Sequence, residues 1–253
     1  MSLSNNKIKQ IRSLKEKKFR DERGTFIAEG AKLVFDLLNT CRCQLIAALP
    51  EVLSAHPGIR AEEVVEASET ELRKATLLAT APQIIGVFYQ PENNLEEIQP
   101  ERKLYLALDG IQDPGNMGTI VRIADWFGID HLVCSPDTVD LFNPKTVQAT
   151  MGAIARVRVS YTDIVSFLRK HQHLPLYGTF LDGENIYADQ LSTHGIIVMG
   201  SEGKGIRPDT AAEINRRLLI PNFPLNRTTS ESLNVAAATA IVCAEFRRRM
   251  HGI

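Results

Sequence analysis

Three stretches of the chain place carboxylates, amides and hydroxyls among glycines directly after apolar runs. The first is LALDGIQDPGNMGTIVRIADWFG, residues 106–128. An apolar strand ends at Asp109–Gly110, Asp113–Pro114–Gly115 makes a turn, and Asn116 is placed to cap the helix that follows. Gly118 leaves backbone bare in the first helical turn, and Arg122 comes in the second. A glycine-rich helix entrance of this kind suits a phosphate or another anion. Without a ligand, the same residues are a turn, a cap, and an arginine held by Asp125 or Trp126. For Asn116 alone the cap is the simpler account. Gly110, Gly115 and Gly118 do not form G-x-G-x-x-G, so a dinucleotide fingerprint is not supported.

The second stretch, GIIVMGSEGKGIRP, runs an apolar strand into Gly200, Glu202, Gly203 and Gly205. Lys204–Gly205 is not the Gly-Lys-Ser/Thr of a P-loop. A carboxylate among three glycines after a buried strand is an odd choice for a mere turn, and chemistry is the better account. In the third, RRLLIPNFPLNRTTSESLNVAAATAIVCAEFRRR, a strand stops at a proline. Asn226, Arg227, Thr228, Thr229 and Ser230 then make a polar loop, and Ser232–Leu233–Asn234 opens a helix that is apolar almost all round. Ser230 or Ser232 could cap it. Such a helix must be buried, by a second layer or by a second subunit.

The elements that hold these loops alternate strand and helix. From Lys103, LYLALDG, HLVCSP, ARVRVS, LPLYGTF, GIIVMGSE and RRLLIP read as buried strands, with helices at about 116–127, 143–152, 162–170 and 232–249. The pattern predicts an α/β fold on a mostly parallel sheet covered on both faces, with ligands at the carboxyl ends of the strands. Before it, residues 1–90 form a smaller α/β module. Residues 7–19 place Ile8, Ile11 and Phe19 at helical spacing; TFIAEG, QLIAALP, EEVVEAS and QIIGVFYQ are strands, and AKLVFDLLN and ETELRKAT are helices. PENNLEEIQPERK, with two prolines, makes residues 91–102 the linker, and 103–253 the second domain.

The formal net charge of −1 over 253 residues conceals an uneven distribution. Residues 1–24 carry a net +5, residues 25–101 a net −7, and residues 102–253 a net +1. The basic N-terminal segment, and Arg247–Arg248–Arg249 at the other end, are candidate phosphate-contacting patches. Cys41 and Cys43 lie too close for an ordinary bridge, and no Cys-x-x-Cys zinc spacing occurs. Cys134 and Cys243 sit in apolar runs. No apolar run approaches membrane-spanning length, and the first ten residues have no signal-peptide character. A reducing cytoplasm is the expected compartment, with no metal and no membrane partner.

N-x-G-x-x-x-R after a strand, then M-G-S-E-G-x-G, then I-P…S-L-N-V resembles the three signature motifs of the SpoU/TrmH family, RNA ribose 2′-O-methyltransferases of the SPOUT superfamily. The resemblance covers about residues 103–250, and residues 1–90 look like that family's L30e-like substrate-binding domain. It implies a catalytic domain whose C-terminal segment threads a trefoil knot, an exception to the rule against threading. S-adenosylmethionine would bind in that knot, and two copies would pair through knot-region helices. By motif position, Asn116, Arg122, Glu202, Ser232 and Asn234 carry over as catalytic. Thr179, Phe180, Gly200, Glu202, Ile220, Pro221, Ser232 and Leu233 carry over as cofactor-binding. The loop between Pro221 and Ser232 is longer than the family's and lacks its glycine, and Ala236 stands where a serine is common.

The implied reaction is methyl transfer to a ribose 2′-hydroxyl of structured RNA, ribosomal RNA first and transfer RNA second. The alternative is an RNA-binding protein of the same fold without turnover, which the intact Asn116/Arg122/Glu202/Asn234 set disfavours. A nicotinamide-dependent oxidoreductase is disfavoured by the missing fingerprint.

Overall fold

The computed structural model describes residues 3–92, 94–188, 190–224 and 232–250. In chain order the elements are α1 (Asn5–Ser13), α2 (Lys17–Arg23), β1 (Thr25–Glu29), α3 (Ala31–Leu38), β2 (Cys43–Ala48), α4 (Pro50–Ala55), β3 (Glu63–Glu66), α5 (Glu69–Ala75) and β4 (Ile84–Tyr89). There follow β5 (Leu104–Asp109), α6 (Pro114–Trp126), β6 (His131–Cys134), α7 (Pro144–Ala149), β7 (Arg158–Tyr161), α8 (Ile164–Lys170), β8 (Leu176–Asn185), β9 (Gly195–Gly200), α9 (Pro208–Ala211), β10 (Arg216–Leu219) and α10 (Val235–Met250). The chain divides into two compact units, Met1–Glu92 with Asp140–Arg156, and Asn93–Val139 with Val157–Ile253.

The first unit is built on a mixed sheet of order β1-β4-β2-β3. Residues 7–19 are not one helix. Ser4 caps α1, and Ile8 and Ile11 are buried beneath it. The chain then turns at Leu14–Glu16, and Phe19 belongs to α2. That second helix ends at Gly24, whose φ of 59° is the left-handed conformation that glycine adopts without penalty. Ser68 and Glu71 close a reciprocal capping box at the start of α5. The stretch Asp140–Arg156 is part of this unit: the Phe142 ring packs at a tilt against Phe26, with centroids 4.8 Å apart, and Asp140 receives the buried Arg20 guanidinium at 2.6 Å.

The second unit is a six-stranded sheet, order β10-β8-β9-β5-β6-β7, with every pairing parallel. All six residues of β5 and all six of β9 are buried, which requires cover on both faces and accounts for their continuous apolar sequence. Successive residues of β8 make the point. Leu176 joins a cluster with Ile164 and Leu168 of α8, and its neighbour Tyr177 meets Phe246 of α10 edge-on at 4.9 Å. Two features of this sheet position the site. Asp109 at the end of β5 pairs with Gly200 at the end of β9, so the first two glycine-rich loops leave the sheet side by side. The β10–β8 register then shifts between Arg217 and Leu218, which leaves Thr179–Gly183 of β8 without partners in β10.

Candidate active site

The first loop turns tightly because Asp113, rather than Asn116, caps α6. Its carboxylate accepts from Asn116 N–H at 2.7 Å, and Pro114 occupies the first helical position, where no donor is needed. Gly118 and Arg122 each lie a turn further into the helix than the sequence reading placed them. With the cap supplied elsewhere, the Asn116 side chain is free to reach across to the second loop. That loop is closed by a reciprocal pair of backbone bonds, Ser201 N–H to Gly205 O at 3.1 Å and Gly205 N–H to Ser201 O at 2.8 Å. Gly200 makes this closure possible, since a Cβ there would collide with the backbone of Gly205 and Ile206. Glu202 stands exposed at the tip.

The third loop delivers Asn234. Ser230 lies outside the described residues, and Asn234, not Ser232, caps α10: its Oδ1 accepts from Ala236 N–H at 3.0 Å and Ala237 N–H at 3.1 Å. Its amide nitrogen is thereby aimed outward. It donates to Asn116 Oδ1 at 2.9 Å and to Glu202 Oε1. Asn116 Nδ2 donates to the same Glu202 oxygen at 3.2 Å, and Val235 N–H does so at 3.3 Å. One carboxylate oxygen of the second loop thus gathers donors from the first and the third.

A cavity of about 440 Å³ opens beside this cluster. Thr179, Phe180, Gly200, Glu202, Ile220, Ser232 and Leu233 line it; Pro221 does not. Its size and its apolar walls suit a small organic ligand. The Glu202 carboxylate on its edge favours a cationic one. Beyond Glu202 lies a second cavity of about 490 Å³, reached by Asn116, Asp113, Lys204 and Arg207. Asn226, Arg227, Thr228 and Thr229 of the third loop lie outside the described residues, as does most of the stretch 222–231.

Arg122 is not brought to the cluster. Asn116 and Arg122 are six residues apart, which sets them about 120° apart around a helix. Arg122 is exposed, lines neither cavity, and has no hydrogen bond, ion pair or ring contact among the described residues, so neither Asp125 nor Trp126 holds it. The buried side of α6 carries Met117, Ile120, Val121 and Ala124. Trp126 on the outward side is 85% exposed.

Sequence reasoning missed two supports. Asp109 is buried and held by Arg207, through the backbone N–H at 2.9 Å, Nε at 2.7 Å and an ion pair. This ties the end of β5 to the second loop. Arg207 also reaches Asp137, whose carboxyl is held below the usual range chiefly by the Ser135 hydroxyl and further by Arg207. The Arg217 guanidinium lies 3.5 Å from the ring centre of Phe180 and pairs with Asp182 at 2.6 Å, which fixes one cavity wall. Cross-sequence separations of this kind leave no local pattern to read.

The basic triplet at the other end of the chain is largely occupied. Arg247 donates to Phe127 O at 2.6 Å and Gly128 O at 3.0 Å, while Arg248 and Arg249 both bind Glu245. Nor is α10 buried all round: Val242, Cys243 and Phe246 face inward, and Ala237 and Ala244 face out. Among the described residues no group of three His, Cys, Asp or Glu side chains could hold a metal ion, and no helix is long and apolar enough to cross a membrane.

Residues 103–244 match the SpoU rRNA methylase family, the span that contains all three loops and both cavities. The chain belongs to that family. Residues 5–86 match the MRM3-like substrate binding domain. Over 97% of this chain and 98% of the relative, the SpoU-family sequence is 30% identical to the 23S rRNA (guanosine(2553)-2′-O)-methyltransferase RlmP of Bacillus subtilis. Among solved structures, a putative RNA methyltransferase of the TrmH family from Porphyromonas gingivalis superposes with a TM-score of 0.87 at 44% identity, covering 98% of this chain and 99% of that one. The AdoMet-bound rRNA methyltransferase of Sinorhizobium meliloti gives 0.87 at 31% identity, covering 99% and 97%. The mixed α/β architecture with a six-stranded parallel sheet is the one this SpoU family shares.

Proposed function

We propose that this SpoU-family protein transfers a methyl group from S-adenosylmethionine to a ribose 2′-hydroxyl of ribosomal RNA. The observation that carries the reading is the meeting of Asn116, Asn234 and Glu202, one from each motif loop, beside the apolar-walled cavity of about 440 Å³. The cavity fits the cofactor by size, by apolar residues such as Phe180 and Leu233 for a flat base, and by the Glu202 carboxylate for a cation. When bound, S-adenosylmethionine supplies a methyl already activated on a sulfonium. The chain's task is alignment and hydroxyl activation. Asn116 and Asn234 hold the Glu202 carboxylate and the loop backbone in register; Ser232 presents a hydroxyl beside them. Arg122, which stands away from its own chain's cluster, would clamp the phosphate next to the reacting ribose from across a pair of chains and so lower the pKa of the hydroxyl, a role that a guanidinium can fill without losing its proton.

The N-terminal module, residues 1–90, holds the RNA, residues 91–102 link, and residues 103–253 carry out the transfer. The C-terminal segment would thread a trefoil knot. Two copies pair through the outward faces of α6 and α10, where exposed Trp126 and the alanines of α10 await a partner, and Arg122 then lies at the interface. The cytoplasm is the compartment in keeping with four free cysteines.

A thermal shift tests the cofactor reading. S-adenosylmethionine at a hundredfold excess over Kd raises the melting temperature by about 5 °C or more, and NADH does not. An unmoved transition with S-adenosylmethionine, or an equal shift with NADH, overturns the reading.

A further inference from the structure

We propose that a small cavity in the first unit seats one unstacked nucleobase of the RNA substrate, which adds a base-reading contact remote from the methyl-transfer site. The inference rests on the reading of RNA as substrate. The cavity measures about 130 Å³ and lies between the N-terminal helices and the face of the sheet. Three observations point to a ligand there.

The first is an orphaned hydroxyl. Thr25 lines the cavity, is fully buried, and its Oγ1 has no hydrogen-bond partner among the described residues. Buried polar groups without partners are costly, and a native structure keeps few of them. The second is the chemistry of the rest of the lining. Gln10 and Gln44 bring amides; the Gln10 amide is unpartnered among the described residues, and Gln44 makes only a long contact, 3.5 Å, to the Tyr89 hydroxyl. Amides supply a donor and an acceptor side by side, which is what a base edge requires. Ile11, Leu45 and Val87 give apolar walls for the ring faces. The irregular register between Cys43 and Leu45 of β2 accounts for the adjacent Gln44 and Leu45 both reaching the cavity, because a bulge re-aims one side chain.

The third is the electrostatic setting. Arg23 lines the cavity, its Nη1 bonded to Ser13 Oγ at 3.0 Å, and Lys9 of α1, Lys15 of the turn after it, and Lys17 and Lys18 of α2 are exposed. Phosphates flanking a splayed-out nucleotide would meet these cations while the base enters the cavity.

The test uses the full chain and rRNA transcribed in vitro. Thr25→Val keeps the shape and removes the hydroxyl; Gln44→Leu removes the amide. Each lowers rRNA affinity about tenfold, with the salt dependence of binding unchanged and the S-adenosylmethionine thermal shift retained. Lys17→Ala/Lys18→Ala, by contrast, flattens the salt dependence. If the wild type binds and methylates rRNA and both cavity variants bind within twofold of it, the nucleobase site is overturned alone. A lowered melting temperature of Thr25→Val with unchanged rRNA affinity assigns the hydroxyl to a bound water and overturns it too. Wild-type protein that neither binds nor methylates rRNA removes the RNA reading, and this site with it.

Discussion

Asn116 and Asn234 lie 118 residues apart, and the amide of the second donates to the carbonyl of the first at 2.9 Å. Each is positioned by a cap. Asp113 releases the Asn116 side chain, and Asn234 uses its own oxygen as the cap while its nitrogen points to the cluster. Two variants at position 234 separate these roles. Asn234→Ala loses both, at about 1–2 kcal/mol of stability and at least about 100-fold in methyl transfer. Asn234→Asp keeps the cap and so melts near the wild type. It loses the donor and sets a second carboxylate against Glu202, so its activity stays low. Equal activity for Asp and Asn at this position would show that the donor is dispensable.

Gly200 is predicted to tolerate no side chain. The backbone of Gly205 and Ile206 occupies the space that a Cβ would need, and backbone cannot rotate away. Gly200→Ala should cost about 3 kcal/mol or more by chemical denaturation and abolish the S-adenosylmethionine thermal shift. Gly203→Ala, where nothing lies within 4 Å, is the control and should cost under about 1 kcal/mol.

His131 predicts how stability responds to acid. It is buried, bonded to Ser160 at 2.8 Å, and pushed down to about 4 by burial first and by Arg158 second. A histidine whose folded pKa lies below its unfolded value of about 6.5 stabilises fully above pH 6.5. That contribution is lost as pH falls from about 6.5 towards 4, because the unfolded chain takes up the proton first, with a slope of at most about 1.4 kcal/mol per pH unit. Denaturation midpoints at pH 7 and pH 5 should therefore differ less for His131→Gln than for the wild type. An identical difference would remove His131 as the source.

The sheet and the three loops were legible because their signals are local. Doubly buried strands are continuous apolar runs, and each ends in glycines and polar residues that have no place in a core. Capping was not legible in detail. Asp113, Asn116, Ser232 and Asn234 can all cap a helix, and only Pro114 at the first position of α6 favours Asp113. The six-residue spacing between Asn116 and Arg122 already implied different helix faces, yet the motif joins them. Alanines fit either face of a helix, so the one-sided burial of α10 left no mark in its composition. Asp109 with Arg207, Phe26 with Phe142, and the membership of Asp140–Arg156 in the first unit depend on pairing distant in sequence. Arg247 likewise looked like a phosphate contact, and it binds the carbonyls at the end of α6.

The most direct test is transfer of labelled methyl from S-adenosylmethionine to rRNA lacking the modification, comparing wild type with Arg122→Ala, followed by nuclease digestion. The proposal predicts label in a 2′-O-methylated nucleoside with the wild type. It predicts label at least about 1,000-fold lower with Arg122→Ala, whose S-adenosylmethionine thermal shift persists. Label on a base, no label with the wild type, or normal turnover by Arg122→Ala would contradict it.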